Sequence, residues 1–134
     1  MLDHVGIPVS DYARSKGFYL LALNPLGYDL VMEVASKETG GERHAGFGAK
    51  GRPQFWIGGG KPIKGRVHFA FEAKDRAAVD AFYAAALKAG GKDNGAPGLR
   101  PHYHANYYGA FVLDPDGHNI EAVCHLPGRP VREL

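Results

Sequence analysis

Two stretches of this chain repeat one another at a constant separation of 64 residues, and that duplication restricts the fold more than any other feature. LDHVGIPVSDYARSKGFYLLALNPLGYD and RVHFAFEAKDRAAVDAFYAAALKAGGKD align without a gap. His4 falls on His68, Asp11 on Asp75, Phe18 on Phe82, Tyr19 on Tyr83, Leu23 on Leu87, Gly27 on Gly91 and Asp29 on Asp93. The same offset carries Phe47 onto Phe111, so the duplication is expected to run through most of both halves. A fixed period marks one supersecondary unit used more than once. Independent domains usually need about 100 residues or more, so two copies within 134 residues are expected to pack as one architecture.

Each copy opens on a short alternating strand, with Val5, Ile7 and Val9 on one face in the first and Val67, Phe69 and Phe71 on one face in the second. An aspartate follows, then apolar residues at helical spacing: Phe18, Tyr19 and Ala22 in one copy, Val79, Phe82 and Ala86 in the other. Each helix is expected to end at a glycine-bearing turn, at Gly27 and at Gly90 with Gly91. Three short strands complete each half, near 28–34, 44–49 and 54–57, then 92–96, 107–114 and 119–125. Turns are expected near Pro53 and at Asp114-Pro115-Asp116-Gly117. The fold class is α+β, with a module over about 1–60, a second over about 64–126 and a tail at 127–134. One helix covers only one face of each sheet. The expectation is a curved, partly open mixed sheet, with the helices outside and a pocket at its centre.

Charge narrows the function classes. Sixteen basic and fourteen acidic residues are interspersed, the net charge is only +2, and no basic stripe suited to nucleic acid or a membrane surface is visible. A small-molecule partner is the default. No run approaches the roughly 20 apolar residues of a membrane span. The single cysteine, Cys124, cannot form an intramolecular disulfide, and the first residues carry no leader-like pattern, so a reducing, cytoplasmic setting is expected. Cys124 lies in phase with Ile120 and Ala122, which favours buried packing.

Strand parity supplies the candidate chemistry. His4 and His68 are out of phase with the apolar rows of their strands, so both should face the hollow side of the sheet. Glu121 alternates against Ile120, Ala122 and Cys124 and joins them there. Two imidazoles and a carboxylate suit zinc, nickel, manganese, cobalt or iron and leave positions open for water or substrate. Subtracting 64 from Glu121 reaches Ile57, with Phe55 of the same parity, so the first half should add no fourth ligand. A register slip of one residue would instead bring Gln54 into the site. His102, His104, Tyr103, Tyr107 and Tyr108 crowd RPHYHANYYGAF, a surface loop enriched in aromatics or a wall that supplies proton shuttles and hydrogen-bond donors. Tyr108 is the leading candidate there, with His102 and His104 beside it, whereas His44 and His125 read as incidental. WIGGGKP lacks the spacing of a phosphate loop and reads as a turn between the halves.

LDHVGIPVSDYARSKGFY, VHFAFEAKDRAAVDAFY and YYGAFVLDPDGHNIEAVCH together resemble the glyoxalase, bleomycin-resistance and extradiol-dioxygenase superfamily, the vicinal-oxygen-chelate proteins, over essentially the whole chain. The resemblance implies paired βαβββ modules and metal ligands at His4, His68 and Glu121. It implies lyase, isomerase, transferase or dioxygenase chemistry on a small oxygen-bearing substrate, with Glu121 or a nearby histidine as base and glutathione a possible cosubstrate. Glyoxalase I adds a fourth ligand, often glutamate, on the last strand of its first module, and this chain has Phe55 to Ile57 there. The family also implies a homodimer, in which PGRPVREL could be a surface extension or an interface strap, and an alternative role as a non-catalytic drug-binding protein.

Overall fold

The structure is a computed structural model that describes residues 1–35, 37 and 40–128. The first module runs β1 (Val5–Val9), α1 (Tyr12–Ala22), a 3-10 turn (Asn24–Leu26), β2 (Asp29–Ala35), β3 (Arg43–Ala49) and β4 (Arg52–Gly59). The second repeats the order with β5 (His68–Glu72), α2 (Arg76–Lys88), β6 (Lys92–Leu99), β7 (Tyr108–Leu113) and β8 (Asn119–Cys124). Both helices start at an aspartate of the repeat: Asp11 accepts from the Arg14 amide at 3.1 Å and Asp75 from the Ala78 amide at 2.8 Å. These side chains satisfy amides that a first helical turn leaves without partners. Gly27 at φ 85° and Gly90 at φ 100° take the left-handed conformation at the far ends.

Each module is a four-stranded mixed sheet, ordered β1-β4-β3-β2 and β5-β8-β7-β6, with the first strand parallel to the last and the others antiparallel. The curved sheet is thus realised as two separate ladders among the described residues. Their helix sides meet: α1 packs on α2, and one core takes in Ile7, Phe18, Tyr19, Phe47, Phe55 and Ile57 with Val79, Phe82, Val112 and Ile120. Each helix covers one face of its sheet, α1 and α2 lie side by side, and the opposite faces, which carry His4 and His68, are open. The tail beyond residue 128 lies outside the described residues.

The Asp114-Pro115-Asp116-Gly117 turn clasps the modules. Asp114 Oδ1 accepts from the amides of Asp116 and His118 at 3.0 and 2.8 Å, and its Oδ2 accepts from the Tyr19 hydroxyl of α1. Asp116 accepts from the amide of Ser10 at 3.1 Å and from its hydroxyl. Burial first, then Asp114, raises the Tyr19 phenol well above its ordinary value, so this contact is a neutral donor on a carboxylate.

Candidate metal centre

The open face of the second sheet gathers His68, Glu121, Phe111 and Tyr107. His68 stands opposite Asn119 and Phe111 opposite Glu121 in the ladders, which sets the imidazole next to the carboxylate. The His68 Nδ1 lies 2.9 Å from the Asn119 carbonyl oxygen, which can only accept, so Nδ1 carries a proton and Nε2 is the atom turned toward the carboxylate. That Nε2 stands 3.2 Å from Glu121 Oε1. Phe111 stacks along the His68 ring, with centroids 6.3 Å apart.

Glu121 is only 2% exposed, and a buried carboxylate requires compensation. Its Oε2 accepts from the Tyr107 hydroxyl. Gly109 makes room for that contact, because a Cβ there would stand 3.1 Å from Glu121 Oε2 and 3.2 Å from Tyr107 Cε1. Burial first, then the bond to Glu121, raises the Tyr107 phenol above its ordinary value and keeps it a donor. Metal–nitrogen and metal–oxygen bonds of about 2.0–2.2 Å put adjacent donors roughly 3 Å apart, so the Nε2 to Oε1 spacing fits two ligands of one ion.

His4 does not join them. Its Nδ1 pairs with Asp3 at 2.8 Å, its side chain is 60% exposed, and it opens onto a hollow on the face of the first sheet. Among the described residues, no three His, Cys, Asp or Glu side chains stand close enough to share an ion. Within one chain the packing of the modules joins their helix layers and leaves the two ligand-bearing faces apart.

Strand register and parity correct the pairing of the repeat. Gly6 pairs with Trp56 as Ala70 pairs with Glu121, so the counterpart of Glu121 is Trp56, at an offset of 65, and neither Ile57 nor Phe55. Phe55 and Ile57 lie in the core. Gln54 shares the face of Trp56 but occupies the position of Asn119, not that of the carboxylate. Likewise Phe111 corresponds to Gly46, because Gly46 faces Trp56 as Phe111 faces Glu121, and the Phe47 to Phe111 match does not hold. Tyr108 lies in phase with the buried Ala110 and Val112 and points to the helix side, where its hydroxyl donates to Asp80 at 2.6 Å beneath Arg76. Its phenol is pushed up to about 12, by burial first and then by Asp80. The residue on Glu121 is its neighbour, Tyr107, and the apolar alternation at Ala110 and Val112 was the signal that separates the two.

His104 and His125 stack, with His104 Nε2 2.8 Å from His125 Nδ1, and Tyr107 packs edge-on to both. His102 lies against Tyr103, one ring further from the carboxylate. His44 lines the first-sheet hollow with Trp56.

Paired βαβββ modules with a histidine at the start of each first strand and a glutamate on the last define the class of this molecule. The model of the Glyoxalase/Bleomycin resistance protein/Dioxygenase superfamily matches residues 1–122, and the chain belongs to that family. A glyoxalase/bleomycin resistance protein from Albidiferax ferrireducens T118 superposes with a TM-score of 0.70 at 30% identity, covering 92% of this chain and 98% of that one. An E144Q glyoxalase I mutant from Zea mays gives 0.69 at 23% identity, covering 91% of this chain but 46% of the maize chain, so the present chain spans about half of it. The fosfomycin resistance protein FosX from Listeria monocytogenes, solved with Mn(II) and sulfate, gives 0.65 at 17% identity and covers 92% of this chain and 91% of that one. No curated protein matches the chain in sequence. No helix among the described residues is long and apolar enough to cross a membrane.

Proposed function

We propose that the protein is a metal-dependent enzyme acting on a small oxygen-bearing molecule, with His68 and Glu121 of one copy and His4 of a second copy as ligands. The observation that carries this reading is the His68–Glu121 pair, whose donor atoms are free of other metal-like partners, oriented by Asn119 and Tyr107 and aimed at an open sheet face. Two-fold pairing of the first sheet of one copy with the second sheet of another makes two identical sites, since an isologous interface repeats each contact.

A bound divalent ion would polarise substrate oxygens and stabilise developing negative charge on them. The chain supplies the rest. Asn119 holds the His68 ring through Nδ1, Tyr107 fixes Glu121 through Oε2, and Phe111 lies along one face of the imidazole. Trp56 stands where a fourth ligand would project, which leaves a three-ligand centre and argues against glyoxalase I activity itself. Glu121, or a nearby histidine, is the available base.

The alternative is a binding protein that sequesters a small ligand without chemistry, favoured by the direct 3.2 Å approach of His68 to Glu121 as a plain ion pair. Calorimetric titration with nickel, zinc, manganese and ferrous iron separates the two. Saturable binding that is lost in His68→Ala and Glu121→Gln supports the enzyme; a wild type that takes up none of the four sinks it. Oxygen consumption with ferrous iron would then indicate a dioxygenase, and glutathione dependence a lyase or transferase.

A further inference from the structure

Trp56 belongs to the first-sheet face in a way that the metal reading does not require. On the ladder it takes the place of an acidic ligand, beside Gly6 of β1 and Gly46 of β3. The indole lies down on Gly46, where a Cβ would stand 2.9 Å from Trp56 Cζ2, 3.0 Å from its Cε2 and 2.9 Å from Pro53 Cβ, while a Cβ on Gly6 would face the Trp56 Cβ at 3.3 Å. Any larger residue at Gly46 would lift the ring off the sheet. His44 is laid flat by the same device, since a Cβ on Gly58 would stand 2.4 Å from its ring. Both residues line a hollow of about 680 Å³, a size suited to a small ligand. Among the described residues no aromatic ring stacks on Trp56. Met32, 46% exposed, adds an apolar wall, and His4 stands at the edge of the same hollow.

We propose that Trp56 is the floor of a subsite for a flat, conjugated ligand, which stacks on the indole while its paired oxygens reach toward His4. The inference rests on the metal reading for the oxygens and on the indole for the ring. An indole prefers an offset-stacked planar partner, because the quadrupoles of the two rings then complement each other. A puckered saturated ring of equal size cannot lie flat on it.

The chain has a single tryptophan, so its fluorescence reports this position alone. Benzohydroxamate and cyclohexanecarbohydroxamate carry the same chelating head on a flat and a puckered ring. Binding of each to the zinc-loaded protein is to be measured by calorimetry, with Trp56 emission excited at 295 nm followed in parallel. The expected result is roughly tenfold tighter binding of the flat probe, the size of one stacking contact, with saturable quenching of Trp56. Trp56→Phe should keep most of that preference, and Trp56→Leu should lose it while still binding zinc. Equal affinities in the wild type, or a preference that survives Trp56→Leu, would overturn the subsite. A protein that binds no zinc but still prefers the flat probe with quenching would uphold the subsite and overturn the metal reading instead.

Discussion

At the scale of single residues, the site depends on how a buried carboxylate is satisfied. Glu121 is 2% exposed and keeps Oε1 toward His68 and Oε2 on Tyr107. Removing one partner of a buried charged hydrogen bond costs about 1–3 kcal/mol, since the remaining oxygen is left without water or a donor. Tyr107→Phe should therefore lower the unfolding free energy in urea by that order and weaken metal binding, whereas Tyr108→Phe should leave metal binding alone. Equal effects of the two substitutions on metal affinity would contradict the assignment of Tyr107. Parity was enough to put His68 and Glu121 on one face from the sequence, because both interrupt clear apolar alternations. The two adjacent tyrosines part because a strand face reverses with each residue: Tyr108 shares the buried phase of Ala110 and Val112, and Tyr107 takes the face of Glu121.

At the scale of elements, the helix–sheet packing of the first module runs through Glu33 on β2. It accepts from the Tyr12 hydroxyl at 2.5 Å and from Lys16 at 3.0 Å on α1, and from Arg43 on β3 at 2.8 Å. The Tyr12 hydrogen bond first, then Lys16, lowers the carboxyl to about 2 from an ordinary value of 4.5. A carboxyl depressed in the folded state contributes stability above its ordinary value, and that contribution fades as pH falls toward the folded one. The gap in urea midpoint between wild type and Glu33→Gln should be constant from pH 7 to about 5 and close between about 4.5 and 2. A gap that does not change from pH 6 to 2.5 would show that the cluster carries no ionic stabilisation. The order of strands and helices was legible because each element has its own period and stop signal. The pairing of the last strands was not, because the offset changes from 64 to 65 between Asp93 and Glu121, and no local residue marks the slip. Only the triplets reveal it: Phe55-Trp56-Ile57 and Ile120-Glu121-Ala122 are each an outlier flanked by two core residues.

At the scale of the whole molecule, duplication and symmetry act together. The Tyr19–Asp114 and Ser10–Asp116 contacts lock α1 and β1 of the first module to the turn that leads into β8. The shared helix core then commits the two open faces to different sides, which no reading of one strand at a time could disclose. A chain built this way presents half of a site twice, His4 with Trp56 on one face and His68 with Glu121 on the other. The central claim is that these halves meet between copies, and mixing two defective variants tests it. His4→Ala and His68→Ala, each expected to have lost its metal, are to be co-expressed and the purified protein analysed for bound metal. Random pairing makes about half of the dimers mixed, and each mixed dimer holds one intact site of two, so about a quarter of wild-type occupancy should return. Occupancy no higher than that of either variant alone would mean that each site is built within one chain, and would contradict the account.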